Sequence, residues 1–330
     1  MDRPGRLTGA TASEILRAMT RTPGARPRWR TGLVLLASAA AIAVPSGAMA
    51  QELEPRAYSA SPVGANFALL GYSWSSGEVL LDASLPVSDV EARIDSLIAG
   101  YSRTFGLAGR AASLALTAPW FRGTMSGDVG ESRRTIERVG LGDVRLRIAV
   151  NLLGGPALTP AEFATRQPKT TLGASLSIVT PTGEYDPAKL VNIGSNRWSF
   201  KPELGVSIPL GKWFLEGSAG VWLFTDNDDF FGGFRREQDP LALLQLHGGY
   251  QFHPGFWIAA DTNYYRGGET TVDGFAKRDV QANSRYGLTL SVRLAPGLSA
   301  KLAVARGLTT RIGGDYDTAL LAVQYFWIDR

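Results

Sequence analysis

From Asp143 to Leu152 every second side chain is apolar. Val144, Leu146, Ile148, Val150 and Leu152 share one face, and Asp143, Arg145, Arg147, Ala149 and Asn151 share the other. A repeat of two is the signature of an extended strand, because successive Cβ atoms point to opposite faces, whereas a helix would spread those charges around its circumference. The stretch 196–208 repeats the pattern, with Trp198, Phe200, Leu204, Val206 and Ile208 opposite Arg197, Ser199, Lys201, Glu203 and Ser207. At 285–294, Tyr286, Leu288, Leu290, Val292 and Leu294 oppose Arg285, Thr289, Ser291 and Arg293. About twelve such segments follow one another, near 66–75, 93–105, 109–120, 141–152, 169–181, 196–209, 212–225, 240–252, 256–267, 283–294, 298–307 and 316–327. Several have the length that a tilted strand needs to cross a bilayer.

The connections narrow the choice. Ser76–Ala92, Phe121–Gly140, Thr182–Ser195, Asp226–Asp239 and Gly268–Ala282 are long. Gly106–Ala108, Leu210–Gly211, His253–Gly255 and Ala295–Gly297 are tight. Short turns alternating with long loops describe an all-β, antiparallel up-and-down transmembrane β-barrel, here with about 12 strands and 10–14 compatible with the segment boundaries. Gly154–Pro168 breaks the alternation, and within it Thr159 before Pro160 predicts a capped helical turn. A soluble β-sandwich would also alternate. Against it stand the strand lengths, the loop pattern, and aromatics near strand ends that would form interfacial girdles: Trp74, Trp120, Phe121, Trp213, Phe224, Phe252, Trp257, Tyr264, Tyr265 and Trp327. Pro202 sits inside a predicted strand and reads as a bulge or a misplaced boundary.

Charge separates the first 50 residues from the rest. They carry seven Arg and two acids; taking these from totals of 34 basic and 30 acidic residues leaves 27 and 28, a net of −1. The basic balance therefore belongs to the leader, and no basic face for nucleic acid is called for. Arg26, Arg28 and Arg30, the apolar run Thr31–Val44 and Ala48-Met49-Ala50 read as a signal peptide over residues 1–50. Residues 51–330 are then the barrel, with 51–65 as a short N-terminal extension that either hangs free or tucks into the lumen. The absence of Cys removes disulfides, thiolate metal sites and cysteine nucleophiles.

If the apolar face meets lipid, the polar face lines the lumen. That face carries Arg145, Arg147, Arg197, Lys201, Glu203, Glu216, Asp261, Arg285, Arg293 and Lys301, joined by Phe214, Trp222, Trp257 and Tyr265. At the midplane each Arg or Lys facing hydrocarbon would cost roughly 2–4 kcal/mol. Facing inward, they either line a wet passage or pair across the barrel and plug it. Completeness of pairing separates a channel for small hydrophobic or aromatic molecules from a plugged barrel that acts through its loops.

Catalysis and cofactors are weakly signalled. Of the two His, His253 belongs to a His-Pro-Gly turn, and His247 would serve a lipid-modifying hydrolase only beside a Ser and an acid or amide at the membrane rim. No Gly-x-Ser-x-Gly elbow occurs. Asp226-Asn227-Asp228-Asp229 lacks the closing Glu of a calcium loop and reads as a solvated tip. No metal and no cofactor are expected. Phe230, Phe231 and Phe234 just after it would pack on their own loop first and meet a ligand second.

Several blocks carry a resemblance. They are Pro55–Phe67 (PRAYSASPVGANF), Gly140–Arg147 (GLGDVRLR), Pro181–Leu190 (PTGEYDPAKL) running on into Asn196–Gly205 (NRWSFKPELG), Arg236–Pro240 (REQDP) and Thr310–Tyr316 (TRIGGDY). With them the chain resembles the bacterial outer-membrane transporters named for the phenol meta-degradation (MetA) pathway. The resemblance implies an exported outer-membrane barrel associated with hydrophobic or aromatic compounds; it brings no catalytic residues and leaves the substrate open. Lipid, lipopolysaccharide, a small hydrophobic or aromatic solute and the barrel assembly machinery are its expected partners.

Overall fold

A computed structural model describes residues 54–81 and 87–329. The expected leader lies outside the described residues. The elements run β1 (Ala65–Leu80), β2 (Val87–Leu107), β3 (Arg110–Val129), β4 (Ser132–Leu141), β5 (Arg145–Leu153), α1 (Pro160–Thr165), β6 (Thr171–Val179), β7 (Ser199–Leu210) and β8 (Trp213–Phe224). They continue as β9 (Asn227–Phe230), β10 (Phe234–Gln238), β11 (Leu241–His253), β12 (Phe256–Gly267), β13 (Thr270–Val272), β14 (Phe275–Ala276), β15 (Gln281–Ala295), β16 (Leu298–Thr309) and β17 (Gly313–Ile328).

Twelve of these strands close a barrel. Neighbours pair antiparallel around it, and β17 returns to β1 over the full register from Ala65 opposite Ile328 to Leu80 opposite Gly313. Closure leaves no free edge, the condition for a sheet in hydrocarbon. The twelve strands coincide with the twelve alternating segments.

The pleat sorts side chains in the order opposite to that of a water-soluble protein. On β11, Leu244 and Leu246 are 47% and 51% exposed, while Gln245 and His247 between them are 6% and 7% exposed. Leu97, Leu204, Leu215, Leu288 and Leu321 continue the apolar exterior on other strands. Such a continuous apolar band is a lipid-facing surface.

One end carries the start of β1, the end of β17 and the tight turns. Ala108 and Gly109 there both take positive φ, 49° and 75°, the turn whose twist matches that of the flanking strands. The irregular connection at this end does hold α1, with Thr159 and Glu162 bonding reciprocally as a capping box. Against the girdle expectation, Phe121, Phe224, Trp257 and Tyr265 face inward. Trp257 and Tyr265 share the parity of Asp261 on β12, and both are 6% exposed. The outer girdle at the turn end keeps Trp213, Phe252 and Trp327 of the expected set and adds Tyr250, Phe256 and Tyr325, in edge and stacked contacts of 4.8–5.7 Å such as Trp213–Tyr250 at 4.8 Å.

The other end is more ordered than its loops predict. Phe121–Gly140 is no loop, because β3 runs on to Val129 and turns into β4. The Asp226–Asp239 and Gly268–Ala282 connections pair with each other as a separate four-stranded sheet, β14-β13-β10-β9. Pro202 makes no bulge: the β7–β8 register is the same before it (Phe200 opposite Leu223) and after it (Glu203 opposite Gly220). Between β4 and β5 the sheet breaks at Asp143. Its carboxylate accepts from Gly183 N at 2.8 Å, Ser195 N at 2.8 Å and Ser195 Oγ at 2.6 Å, which pins the 180–198 connection over the barrel mouth.

Candidate functional site in the barrel lumen

The inward faces enclose a cavity of about 1160 Å³. Its wall has two characters. On β5 to β8 and β11 to β12 it is charged and aromatic. On β1 to β3 and β17 it is mostly apolar, with Phe67, Leu69, Ile94, Ile98, Phe121, Met125, Leu320, Ala322 and Phe326 among small residues and the single amide of Gln324.

The N-terminal extension enters the lumen and rests on the charged wall. The Tyr58 hydroxyl donates to Glu203 Oε1 at 2.6 Å and bonds Ser175 Oγ at 2.8 Å. Its ring fills a notch that exists because two neighbours lack side chains: a Cβ on Gly205 would lie 2.1 Å from the ring, and one on Gly173 2.6 Å. Arg147 covers the ring at 5.0 Å. Arg56 reaches Gln251 Oε1 at 3.0 Å and lies over Phe214 and Trp257, at 4.8 and 5.5 Å. The Arg56 backbone N–H and Ser59 Oγ both donate to Glu216. On the opposite wall the extension is held only where it joins β1, with Thr104 Oγ1 donating to Pro62 O and Gly64 N donating to Thr104 O at 2.9 Å; the apolar side chains beyond take no bond from it.

Every inward acid of the barrel wall is satisfied. Glu203 takes Lys201 at 2.9 Å and Tyr58, and Glu216 takes Ser207 at 2.6 Å besides the extension. Asp261 bonds His247 Nδ1 at 2.7 Å and accepts from Thr289 Oγ1 at 2.6 Å. The arginines are not all satisfied. Buried nitrogens on Arg147, Arg197 and Arg285 find no partner, although Arg285 donates to Tyr316 O at 2.6 Å and to Thr318 Oγ1 at 3.2 Å. Arg145 stands over the Trp222 ring at 5.6 Å, and Lys201 approaches it at 5.4 Å. Lys301 lines the cavity from β16, and Arg293 stands more exposed at the turn-end mouth. Tyr265 packs with Trp222, Leu241 and Leu243. Pairing is therefore incomplete, and among the inward charged groups what is left over is cationic donors.

The loop aromatics mostly pack on themselves. Phe230 and Val272 form a small core with Leu190, Phe231 and Phe234 against it, and Phe230 also reaches the cavity. His247 lies within the lumen rather than at the rim, so the geometry required of a lipid-modifying site is not met. No cluster of His, Asp and Glu with metal-ligating geometry occurs among the described residues. Sequence reading left Arg56, Tyr58, Arg236 and the inward Phe121 and Phe224 without a site role. For the two Phe, the signal was strand parity: Phe224 is two residues from Trp222.

A family model described as "Putative MetA-pathway of phenol degradation" matches residues 76–312. Among solved structures, an outer membrane channel from Pseudomonas putida F1 is 25% identical with a TM-score of 0.73, covering 84% of this chain and 100% of its own. The translocator domain of autotransporter NalP from Neisseria meningitidis is 12% identical with a TM-score of 0.50, covering 84% and 92%, and shares the fold alone. No curated protein sequence matches.

Proposed function

The chain belongs to the MetA-pathway phenol-degradation family, and from that premise we propose that it is an outer-membrane channel that passes small hydrophobic or aromatic molecules through its lumen without catalysis. The observation that carries this reading is the two-sided cavity. The extension is anchored on the charged wall by Tyr58 and Arg56, and the wall of Phe67, Leu69, Ile94, Leu320 and Phe326 across from it stays uncovered. An apolar surface of this kind holds an aromatic ring, while the polar wall keeps water and hydrogen-bond partners for a hydroxyl. The likeness to the Pseudomonas putida channel supports the same reading.

The leader exports the chain and is cleaved after Ala50. The barrel is inserted by the assembly machinery with its turn end in the periplasm and its loops among lipopolysaccharide. The inward residues from Arg145 to Lys301, with Phe214, Trp222, Trp257 and Tyr265, border the solute path. Planar-bilayer recording of the purified, refolded barrel tests this: discrete conductance that added phenol reduces is expected. A folded barrel that stays silent, with or without phenol, would favour a plugged barrel acting through its loops.

A further inference from the structure

At the loop end of the cavity two arginines are buried close enough to feel each other's charge. Arg197, just before β7, is 3% exposed, and Arg236, on β10, is 9% exposed; both line the cavity. Neither forms an ion pair with a carboxylate among the described residues. Arg197 donates one amino group to Gln238 Oε1, and its other, Nη1, is buried without a partner. Arg236 Nε is likewise orphaned, as is Nε1 of Trp222, which is wholly buried. All three are donors.

The nearby acids are already committed. Asp143 holds Gly183 and Ser195, Asp279 takes Thr270 N and Oγ1, both at 2.6 Å, and Asp226 pairs with Arg235. Burial, and then the charge of Arg236, push the Arg197 guanidinium well below its ordinary range against the partial pull of Asp143 and Asp226, and burial lowers Arg236 against that of Asp279. Leaving two cations desolvated and mutually repelling is costly unless an anion joins them. Each also lies over a ring, Arg197 over Phe224 at 4.5 Å and Arg236 over Phe230 at 5.5 Å. Planar guanidinium forks recognise carboxylates, and the surrounding rings offer a face for another ring.

We propose that Arg197 and Arg236, with Trp222, Phe224 and Phe230, form a binding site for an aromatic carboxylate at the loop end of the lumen. The carboxylate takes the orphaned guanidinium N–H groups, and the ring lies among the aromatic side chains. The inference refines the channel reading by naming the solute class, yet its test does not depend on passage.

Calorimetric titration of the refolded full-length barrel with benzoate, benzamide and acetate decides it. Benzoate is expected to bind about tenfold or more tightly than either of the others, because charge-assisted pairs are about twice as strong as neutral ones and acetate has no ring. Arg236→Met and Arg197→Met should each weaken benzoate by about tenfold or more. Arg236→Lys keeps charge and much of the packing, so it guards against misfolding, and it should still bind benzoate less well because the fork is lost. Arg235→Gln, whose parent side chain points to solvent among Asp226, Asp228 and Glu237, should stay within about twofold. Equal binding of benzoate and benzamide, or of benzoate and acetate, would overturn the site, as would an Arg235→Gln loss matching that of Arg236→Met. A barrel that binds benzoate selectively but never conducts contradicts the channel reading alone.

Discussion

The two walls of the lumen are made of the same kind of strand and do opposite things. β7 places Lys201, Glu203 and Ser207 inward, and each is fixed by a named partner. β17 places Leu320, Ala322 and Phe326 inward at the same pleat positions, and they offer only a surface. Polar side chains hold geometry through directional bonds, so the charged wall can anchor a peptide segment. Small apolar ones hold none, so their wall can be left for a mobile solute. A barrel of uniform backbone can thus divide anchoring and open surface between two arcs of its circumference.

The largest expected effect comes from removing the anchored segment. A barrel lacking residues 51–61 should conduct several-fold more than the intact one in planar bilayers. An unchanged conductance would mean that the segment does not narrow the path, and the contrast between the walls would lose its meaning. Gly205→Val should act in the same direction but less, because a Cβ there would lie 2.1 Å from the Tyr58 ring and eject it from its notch.

Lys201→Met is expected next. It strips the Glu203 carboxylate of its 2.9 Å partner, and breaking a buried pair costs about 3–5 kcal/mol, less where lumen water reaches the acid. Urea unfolding of the refolded barrel in lipid reads this, and a variant as stable as the parent would show that the pair does not hold the charged wall. The smallest effect belongs to the apolar arc. Ser102→Ala, on the inward face of β2, should change stability by no more than about 0.5 kcal/mol. A loss as large as that of Lys201→Met would show that the two arcs are equally constrained.

The barrel itself was legible in the sequence because lipid outside and water inside force strict alternation. Asp143–Leu152 and Arg285–Leu294 display it without tertiary help, and register follows from parity. The girdle was partly misread because an aromatic near a strand end belongs to either face. Only its parity with Asp261 shows that Trp257 points inward. The loop-end sheet was missed because Asn227–Phe230 and Phe275–Ala276 are too short to show a period. The extension was the least legible part: Pro55–Pro62 has no periodicity, and its place depends on two glycines far along the chain, Gly173 and Gly205, whose lack of a side chain makes room for Tyr58. Arg236 was hidden for a related reason, since a charge in an acidic, loop-like stretch gives no sign that a second sheet will bury it.

The most direct test of the division between the walls uses the absence of native Cys. Single cysteines placed at Ala322 on the apolar arc and at Ser218 on the charged arc would be labelled with a membrane-impermeant thiol reagent, with and without phenol. Phenol should slow labelling at Ala322→Cys markedly and at Ser218→Cys little. Equal protection at both positions, or none at Ala322→Cys, would contradict that division.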